Sequence, residues 1–338
     1  MKKTVAIILM AVLAISLTGC GKKEKEIKHI KKYISTIHYS DDIETVTEVL
    51  YNEKGLATEM RSQGDSMDFK YDFDEHDNPT KVVAKRDNEK VELTLENDYE
   101  GDKLKKVFLT ALEYDDRKID LSKEGEQLEY EPAMYISTFL PLITGYDNYR
   151  DVDFECPGTG ALIKRSDEKN VYSRTTQQHI YGVTFTEKKS DGSWVETKIN
   201  GNIENNEYVP GNTTMSTYDK DNKVSEILYE FYDPEITINL YFEYERHDDG
   251  DGYYLESKIK DKEAKTQNDE QAVAAKMFIG TICFKYYYDK DDILTKVEKT
   301  AENNKDITFY NEDGSIHKSE FIYSETYYSS IEYEYWEK

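Results

Sequence analysis

Cysteine is scarce in this 338-residue chain, which holds three, at positions 20, 156 and 283. Cys156 and Cys283 are too few to make a disulfide framework, and both a single bond and two buried thiols fit them. Histidine is sparse as well, with six residues at 29, 38, 76, 179, 247 and 317. None is paired at metal-ligand spacing, and neither His-Glu-x-x-His nor Cys-x-x-Cys occurs, which argues against a dedicated zinc site. Phosphate-cradling glycine loops are missing. Basic residues are outnumbered, 44 Lys and Arg against 69 Asp and Glu, for a net charge of −25. So acidic a chain is repelled by nucleic acid and by anionic surfaces, so no nucleic-acid partner is expected.

Enzyme signatures are faint. Ser166-Asp167-Glu168-Lys169 and Ser257-Lys258-Ile259-Lys260 fit Ser-x-x-Lys, but no Lys-Thr-Gly accompanies them. Gly64-Asp65-Ser66-Met67 is similar to the nucleophile block of one hydrolase family, yet it lies in a polar hairpin region rather than after a buried strand. The expectation is a protein with no cofactor and no enzymatic activity.

What is present begins with an address. Lys2-Lys3 precede an apolar run from Val5 to Leu17, which closes on Thr18-Gly19-Cys20. A basic start, an apolar stretch and a small residue at the break form the layout of a secretory signal. The run falls short of the ~20 apolar residues of a membrane span. Leu17-Thr18-Gly19-Cys20 resembles the lipobox of bacterial lipoproteins. That resemblance implies cleavage before Cys20, a diacylglycerol on its thiol, and an extracytoplasmic protein anchored to the membrane, at the cell surface or the periplasmic face. Residues 21–32 carry Lys22, Lys23, Lys25, Lys28, Lys31 and Lys32 against Glu24 and Glu26, which reads as a basic tether beside the lipid. A solvated leader fits the same residues.

Beyond the tether, tyrosine dominates, with 29 residues against 12 Phe and 2 Trp, and it recurs with period two. Phe69, Tyr71 and Phe73 alternate with Lys70 and Asp72; Val91, Leu93 and Leu95 alternate with Glu92, Thr94 and Glu96. Ile236, Ile238, Leu240, Phe242 and Tyr244 share one face, as do Ile331, Tyr333 and Tyr335. Such alternation predicts strands with one covered and one wet face, an antiparallel habit. The fold class expected is mainly β, an antiparallel meander of repeated hairpins in a twisted sheet, with two short helices.

The strands end in a recurring turn. Tyr51-Asn52-Glu53-Lys54-Gly55, Tyr218-Asp219-Lys220-Asp221-Asn222, Tyr288-Asp289-Lys290-Asp291-Asp292 and Tyr310-Asn311-Glu312-Asp313-Gly314 share it, and Phe73-Asp74-Glu75-His76-Asp77-Asn78 is a variant. Asp and Asn can bond their own backbone, and Gly, Asn or Asp tolerates positive φ where the chain reverses. Tyr51 to Phe73 and Tyr288 to Tyr310 are both 22 residues, a spacing that marks a repeat architecture. These residues resemble the YD repeat, the Tyr-Asp-x-x-Gly hairpin unit of bacterial Rhs-type and wall-associated proteins, over about 45–120 and 208–338. The usual Gly is Asn or Asp in three of the five copies. The resemblance implies strand–turn–strand geometry.

Two segments break the pattern. Ile136, Phe139, Leu140 and Ile143 stand at helical spacing in 132–143, with Pro132 suited to a first turn and Pro141 to a stop. Residues 269–279 run through Ala272, Val273, Ala274, Ala275, Met277 and Phe278 to Gly280, a second predicted helix. Residues 145–170 lack periodicity and make a boundary candidate. The organisation expected is a signal peptide over 1–19, a lipidated tether over 20–32, a hairpin lobe over 33–130, a connector over 131–170 and a second hairpin lobe over 171–338.

Two groups of residues are candidate sites. Tyr286, Tyr287 and Tyr288, with Tyr327, Tyr328, Tyr333, Tyr335 and Trp336, are aromatics able to stack on sugar rings, although tyrosine also simply suits a half-buried sheet. Asp248, Asp249 and Asp251 form the densest acidic turn, a calcium-loop candidate that lacks the EF-hand order and is equally a solvated hairpin loop. The expected function is a non-enzymatic binding or scaffold lipoprotein at the cell envelope, with wall glycan or an envelope protein as partner. A lipid or lipoprotein carrier is the alternative, and an envelope hydrolase the third.

Overall fold

Twenty-two strands, all in one sheet, take up most of the residues described. The computed structural model describes 28–40, 43–87, 89–123, 152–156, 161–164, 169–175, 180–204, 207–230, 237–265, 282–301, 304–324 and 327–337, with Tyr135, Ile136, Phe139, Leu142, Ile143 and Tyr149. The first strands are β1 (Ile30–Ser40), β2 (Ile43–Tyr51), β3 (Ala57–Ser62), β4 (Asp65–Phe73), β5 (Pro79–Arg86), β6 (Glu89–Glu100), β7 (Lys103–Tyr114) and β8 (Arg117–Asp120). The middle of the chain supplies β9 (Asp153–Cys156), β10 (Ala161–Lys164), β11 (Lys169–Thr175), β12 (Ile180–Lys188), β13 (Trp194–Glu204), β14 (Glu207–Tyr218) and β15 (Val224–Glu230). The last are β16 (Thr237–Asp249), β17 (Gly252–Lys265), β18 (Cys283–Tyr288), β19 (Leu294–Ala301), β20 (Asn304–Tyr310), β21 (Ile316–Ile322) and β22 (Tyr328–Tyr335).

The expected antiparallel meander forms. From β1 to β8 and from β9 to β22, each strand pairs antiparallel with the next. β7 links the two runs by a parallel pairing of Lys106–Phe108 with Asp153–Glu155 of β9. β22 then pairs with β1, from Ile30↔Tyr335 to His38↔Tyr328. The chain of pairings therefore closes on itself, from β1 through β7 and β9 to β22.

Alternation assigns the two faces. Tyr33, Ser35 and Ile37 of β1 point inward with Val49, Leu93, Leu95, Leu109 and Leu112, and all are buried. Tyr135, Ile136, Phe139, Leu142 and Ile143 are helical and pack inside this core, where Phe69 and Phe139 meet edge-on with centroids 6.1 Å apart. They fall in the first predicted helix, whose Leu140 lies outside the described residues, as does all of the second predicted helix, 269–279. β9 and β10 form inside 145–170, where no periodicity shows, because four-residue strands are too short to display one. Ile316, Ile331 and Tyr333 complete this first core. A second core gathers Val224, Ile227, Ile238, Leu240, Phe242, Ile282, Phe284 and Tyr286, with Phe242 and Phe284 edge-on at 5.4 Å. Each large apolar side chain so buried stabilises the fold by about 1.5–3 kcal/mol.

The outer face is charged. Glu48, Lys32 and Glu334 line up across β2, β1 and β22, with Lys32 Nζ 3.5 Å from Glu48 and 2.8 Å from Glu334. Lys285 reaches Glu256 at 3.0 Å, and Lys296 and Lys305 reach Glu298 at 2.8 and 3.0 Å. Such pairs are worth little singly, but they place charge outside and apolar groups inside, the reverse of a lipid-facing barrel.

Six turns share one geometry. In each, the residue after the lead position donates its N–H to the carbonyl four residues on: Asn52 to Leu56, Asp74 to Asn78, Lys189 to Ser193, Asp219 to Lys223, Asp289 to Ile293 and Asn311 to Ser315, at 2.8–3.0 Å. In each, φ is positive three residues further along, at Gly55, Asp77, Gly192, Asn222, Asp292 and Gly314. Five coincide with the turns predicted from sequence, and the Lys188–Ser193 turn is a sixth. Asn52, Asp74, Asp219 and Asp289 each accept two backbone N–H bonds on Oδ1. In the other two, Asp191 and Asp313 take over and bond the N–H and hydroxyl of Ser193 and Ser315.

A tyrosine from later in the chain then ties several turns down. The carbonyl six residues past the lead position accepts Tyr71 Oη at Ala57 (2.7 Å), Tyr244 Oη at Val224 (2.6 Å), Tyr335 Oη at Ile316 (2.7 Å) and Tyr149 Oη at Pro79 (3.2 Å). The antiparallel order sets all six turns at one end of the sheet. The chain also enters and leaves there: Lys28 pairs with Asp313 at 2.6 Å, and the Trp336 N–H donates to the His29 carbonyl at 3.0 Å.

Candidate functional site

The tip of the β16–β17 hairpin lies against the end of β18 at the turn end of the sheet. Gly252 makes this possible, because a Cβ there would lie 2.3 Å from the Tyr288 carbonyl oxygen. Register places Tyr253 opposite Tyr288 and Tyr254 opposite Tyr287. The Tyr253 and Tyr288 rings stack with centroids 5.0 Å apart, and Tyr254 tilts against Tyr287 at 5.3 Å. Tyr253 Oη donates to Asp292 at 3.0 Å, which joins this hairpin to the next turn.

An open groove of about 600 Å³ follows these tips. Tyr253, Tyr287, Tyr288 and Phe309 supply its aromatic lining, Asp249, Asp251 and Asp289 its carboxylates, and Lys290 and Lys296 its cations. Lys296 Nζ sits 3.7 Å from the centre of the Tyr287 ring, and the Arg246 guanidinium 3.6 Å from that of Tyr253, so the chain's own cations fix these rings. The Tyr287 hydroxyl is pushed up to about 12, first by burial and then by the Glu298 carboxylate, so it stays a neutral donor and acceptor. A lining of ring faces, carboxylates and ammonium groups suits a ligand that is both polyhydroxylated and partly apolar.

Of the candidate tyrosines, Tyr287 and Tyr288 line this groove, as do Asp249 and Asp251 of the acidic turn. Tyr286 does not: its side chain is in the second core, where its hydroxyl accepts the Val224 N–H at 3.0 Å. Tyr333 is buried in the first core, and Tyr335 spends its hydroxyl on Ile316. Trp336 lies under Lys31, 5.4 Å from its Nζ, near the chain entry. Tyr327 and Tyr328 stand at the opposite end of the sheet, with Tyr328 stacked on His38 at 4.0 Å. Asp248 is largely exposed and faces Arg246 at 3.7 Å. Among the described residues, no group of three or more His, Cys, Asp or Glu is placed to hold a metal ion.

Tyr253, Asp289, Lys290, Lys296 and Phe309 belong to the groove although sequence reasoning did not single them out. The available signal was Tyr253-Tyr254 beside the acidic turn, facing a second tyrosine run; the pairing register alone makes it specific.

No family model matches this chain, and no curated protein does. Among solved structures it is similar to a porin-like protein from Bacteroides vulgatus ATCC 8482, at 9% identity, over 92% of this chain and 100% of that one, with a TM-score of 0.24.

Proposed function

We propose that this protein is a lipid-anchored, extracytoplasmic binding protein of the cell envelope that holds wall glycan without transforming it. The groove at the turn end carries this reading: aromatic rings and carboxylates from neighbouring hairpins line one open cleft. Apolar sugar faces pack on rings such as Phe309 and Tyr288, while hydroxyls meet Asp249, Asp251 and Asp289. The reading also uses the lipobox resemblance at Cys20. Eight residues from Cys20 to Lys28 span at most about 28 Å, which keeps the groove within reach of polymer lying close to the membrane. The groove is open and edged by charge, which suits a long polar strand better than the enclosed apolar cavity a lipid carrier needs.

The test is co-sedimentation of the full-length chain, in detergent micelles, with insoluble wall glycan. Wild type is expected in the pellet, with Phe309→Ala and the Asp249→Asn/Asp251→Asn double variant depleted at least fivefold. Equal pelleting of wild type and variants, or no pelleting, overturns the proposal. Metabolic labelling with a radioactive fatty acid tests the anchor: Cys20→Ala is expected to lose the label, and retained label overturns it.

A further inference from the structure

At the end of the sheet opposite the six turns, three tyrosines form a row. Tyr327 lies between Tyr39 and Tyr323, with ring centroids 5.7 and 5.2 Å away. The row is held in advance. The Tyr323 and Ser324 N–H groups donate to the Tyr327 carbonyl at 3.1 and 3.0 Å, and the Tyr327 N–H donates to Ser324 Oγ at 3.0 Å. Tyr39 and Tyr323 are nevertheless 36% and 40% exposed. Most of the large exposed apolar side chains gather at this end, with Ile43, Val46 and Tyr328 beside them.

Asp306 is the charge within reach. It pairs with Phe321 of β21 in register, two residues before Tyr323, and with Lys299 of β19 on its other side. Burial raises its carboxyl, with Lys299 pulling the other way. The Tyr323 hydroxyl is raised by burial and then by the Asp306 carboxylate, so the two groups feel one another. Among the described residues, Asp306 makes no ion pair, although Lys299 is its cross-strand neighbour.

The contrast with the groove is informative. There, Arg246 and Lys296 lie 3.6 and 3.7 Å from the ring centres of Tyr253 and Tyr287. Among the described residues no cation lies over Tyr39 or Tyr323. The exposed faces of Tyr39 and Tyr323, which no described cation covers, beside a half-buried carboxylate with no ion pair among the described residues, are the chemistry that recognises an alkylammonium group.

We infer that Tyr39, Tyr327 and Tyr323, with Asp306, form a binding site for a small organic cation of the quaternary-ammonium class. The cation rests on the exposed tyrosine faces while the carboxylate balances its charge. The site is separate from the groove and does not depend on the glycan reading.

Choline is the probe, and 3,3-dimethylbutan-1-ol, of the same shape without the charge, is the control. Titrated calorimetrically into the full-length chain in micelles, choline is expected to bind saturably and at least tenfold more tightly than the alcohol. Asp306→Asn and, independently, Tyr323→Ala are expected to weaken choline at least tenfold at unchanged thermal midpoint, and Tyr287→Ala to leave it unchanged. Tyr39→Leu serves as a further variant should Tyr323→Ala lower the midpoint. The inference is overturned by absence of saturable choline binding, by equal affinity for the alcohol, or by loss in Tyr287→Ala with retention in Asp306→Asn.

Discussion

At one end of the sheet, six hairpins repeat a single hydrogen-bond pattern, and tyrosine hydroxyls from later strands tie several of them to the body. At the other end, among the described residues, Gln63-Gly64 and Asp115-Asp116 are tight two-residue turns with positive φ, and the turn closed between Tyr323 and Tyr327 bears exposed rings. The repeated end fixes register locally, because each turn satisfies its own backbone within six residues. The other end instead carries most of the exposed large apolar side chains among the described residues. Even the aromatic chemistry divides this way, with cations over Tyr253 and Tyr287 at the turn end and none over Tyr39 or Tyr323 among the described residues.

Substitutions can sharpen that contrast. The largest effect is expected at Asp74, which accepts the N–H groups of His76 and Asn78, the Asn97 amide at 2.8 Å and the Tyr99 hydroxyl. Asp74→Ala should lower stability by about 2–4 kcal/mol, whereas Tyr39→Ala at the opposite end should stay within about 0.5 kcal/mol of wild type. Urea midpoints read both, and equal losses would erase the contrast. Burial by itself raises the Asp74 carboxyl, but the bonds from Tyr99, Asn78, Asn97 and His76 outweigh it and hold the group below its ordinary value. Its contribution is therefore complete above the unfolded value of about 3.9 and disappears as pH falls through the lower folded one. The gap between wild type and Asp74→Asn should be constant near neutrality and narrow below about pH 4; a gap that widens on acidification would show the sign to be wrong.

Tyr244→Phe is the next largest, at about 1 kcal/mol, because it removes one hydroxyl bond to the buried Val224 carbonyl. Tyr328→Phe, at the exposed end, should leave thermal unfolding unchanged. Asp77→Gly is expected to raise stability by several tenths of a kcal/mol. Asp77 holds φ at 62°, a strain glycine does not feel, and its exposed ion pair with Lys54 is weak compensation. A destabilised Asp77→Gly would mean that this contact matters more than the backbone.

Much of this architecture is legible in the sequence. The alternation around Leu93, Leu240 and Tyr333 marks strands and their covered face, and the Asp, Asn and Gly positions mark five turns. The sixth escapes because it starts at Lys188 instead of an aromatic, and its Asp191–Ser193 bonds replace the usual Asp or Asn cap. Ring closure is not legible, because pairing β22 with β1 joins residues some three hundred positions apart, and local pattern says nothing about so distant a partner. The groove is half legible. Tyr286, Tyr287 and Tyr288 look alike in sequence, and only their place in the register separates a core side chain from two groove residues; Phe309 and Lys296 arrive through strands that pairing brings alongside.

Hydrogen exchange of the full-length chain with and without soluble wall-glycan fragments tests the placement of the binding site most directly. Amides at 249–253, 287–290, 295–296 and 309 should gain protection when glycan is added, with 323–327 unchanged. Protection confined to the opposite end, or none anywhere, would contradict the groove as the glycan site.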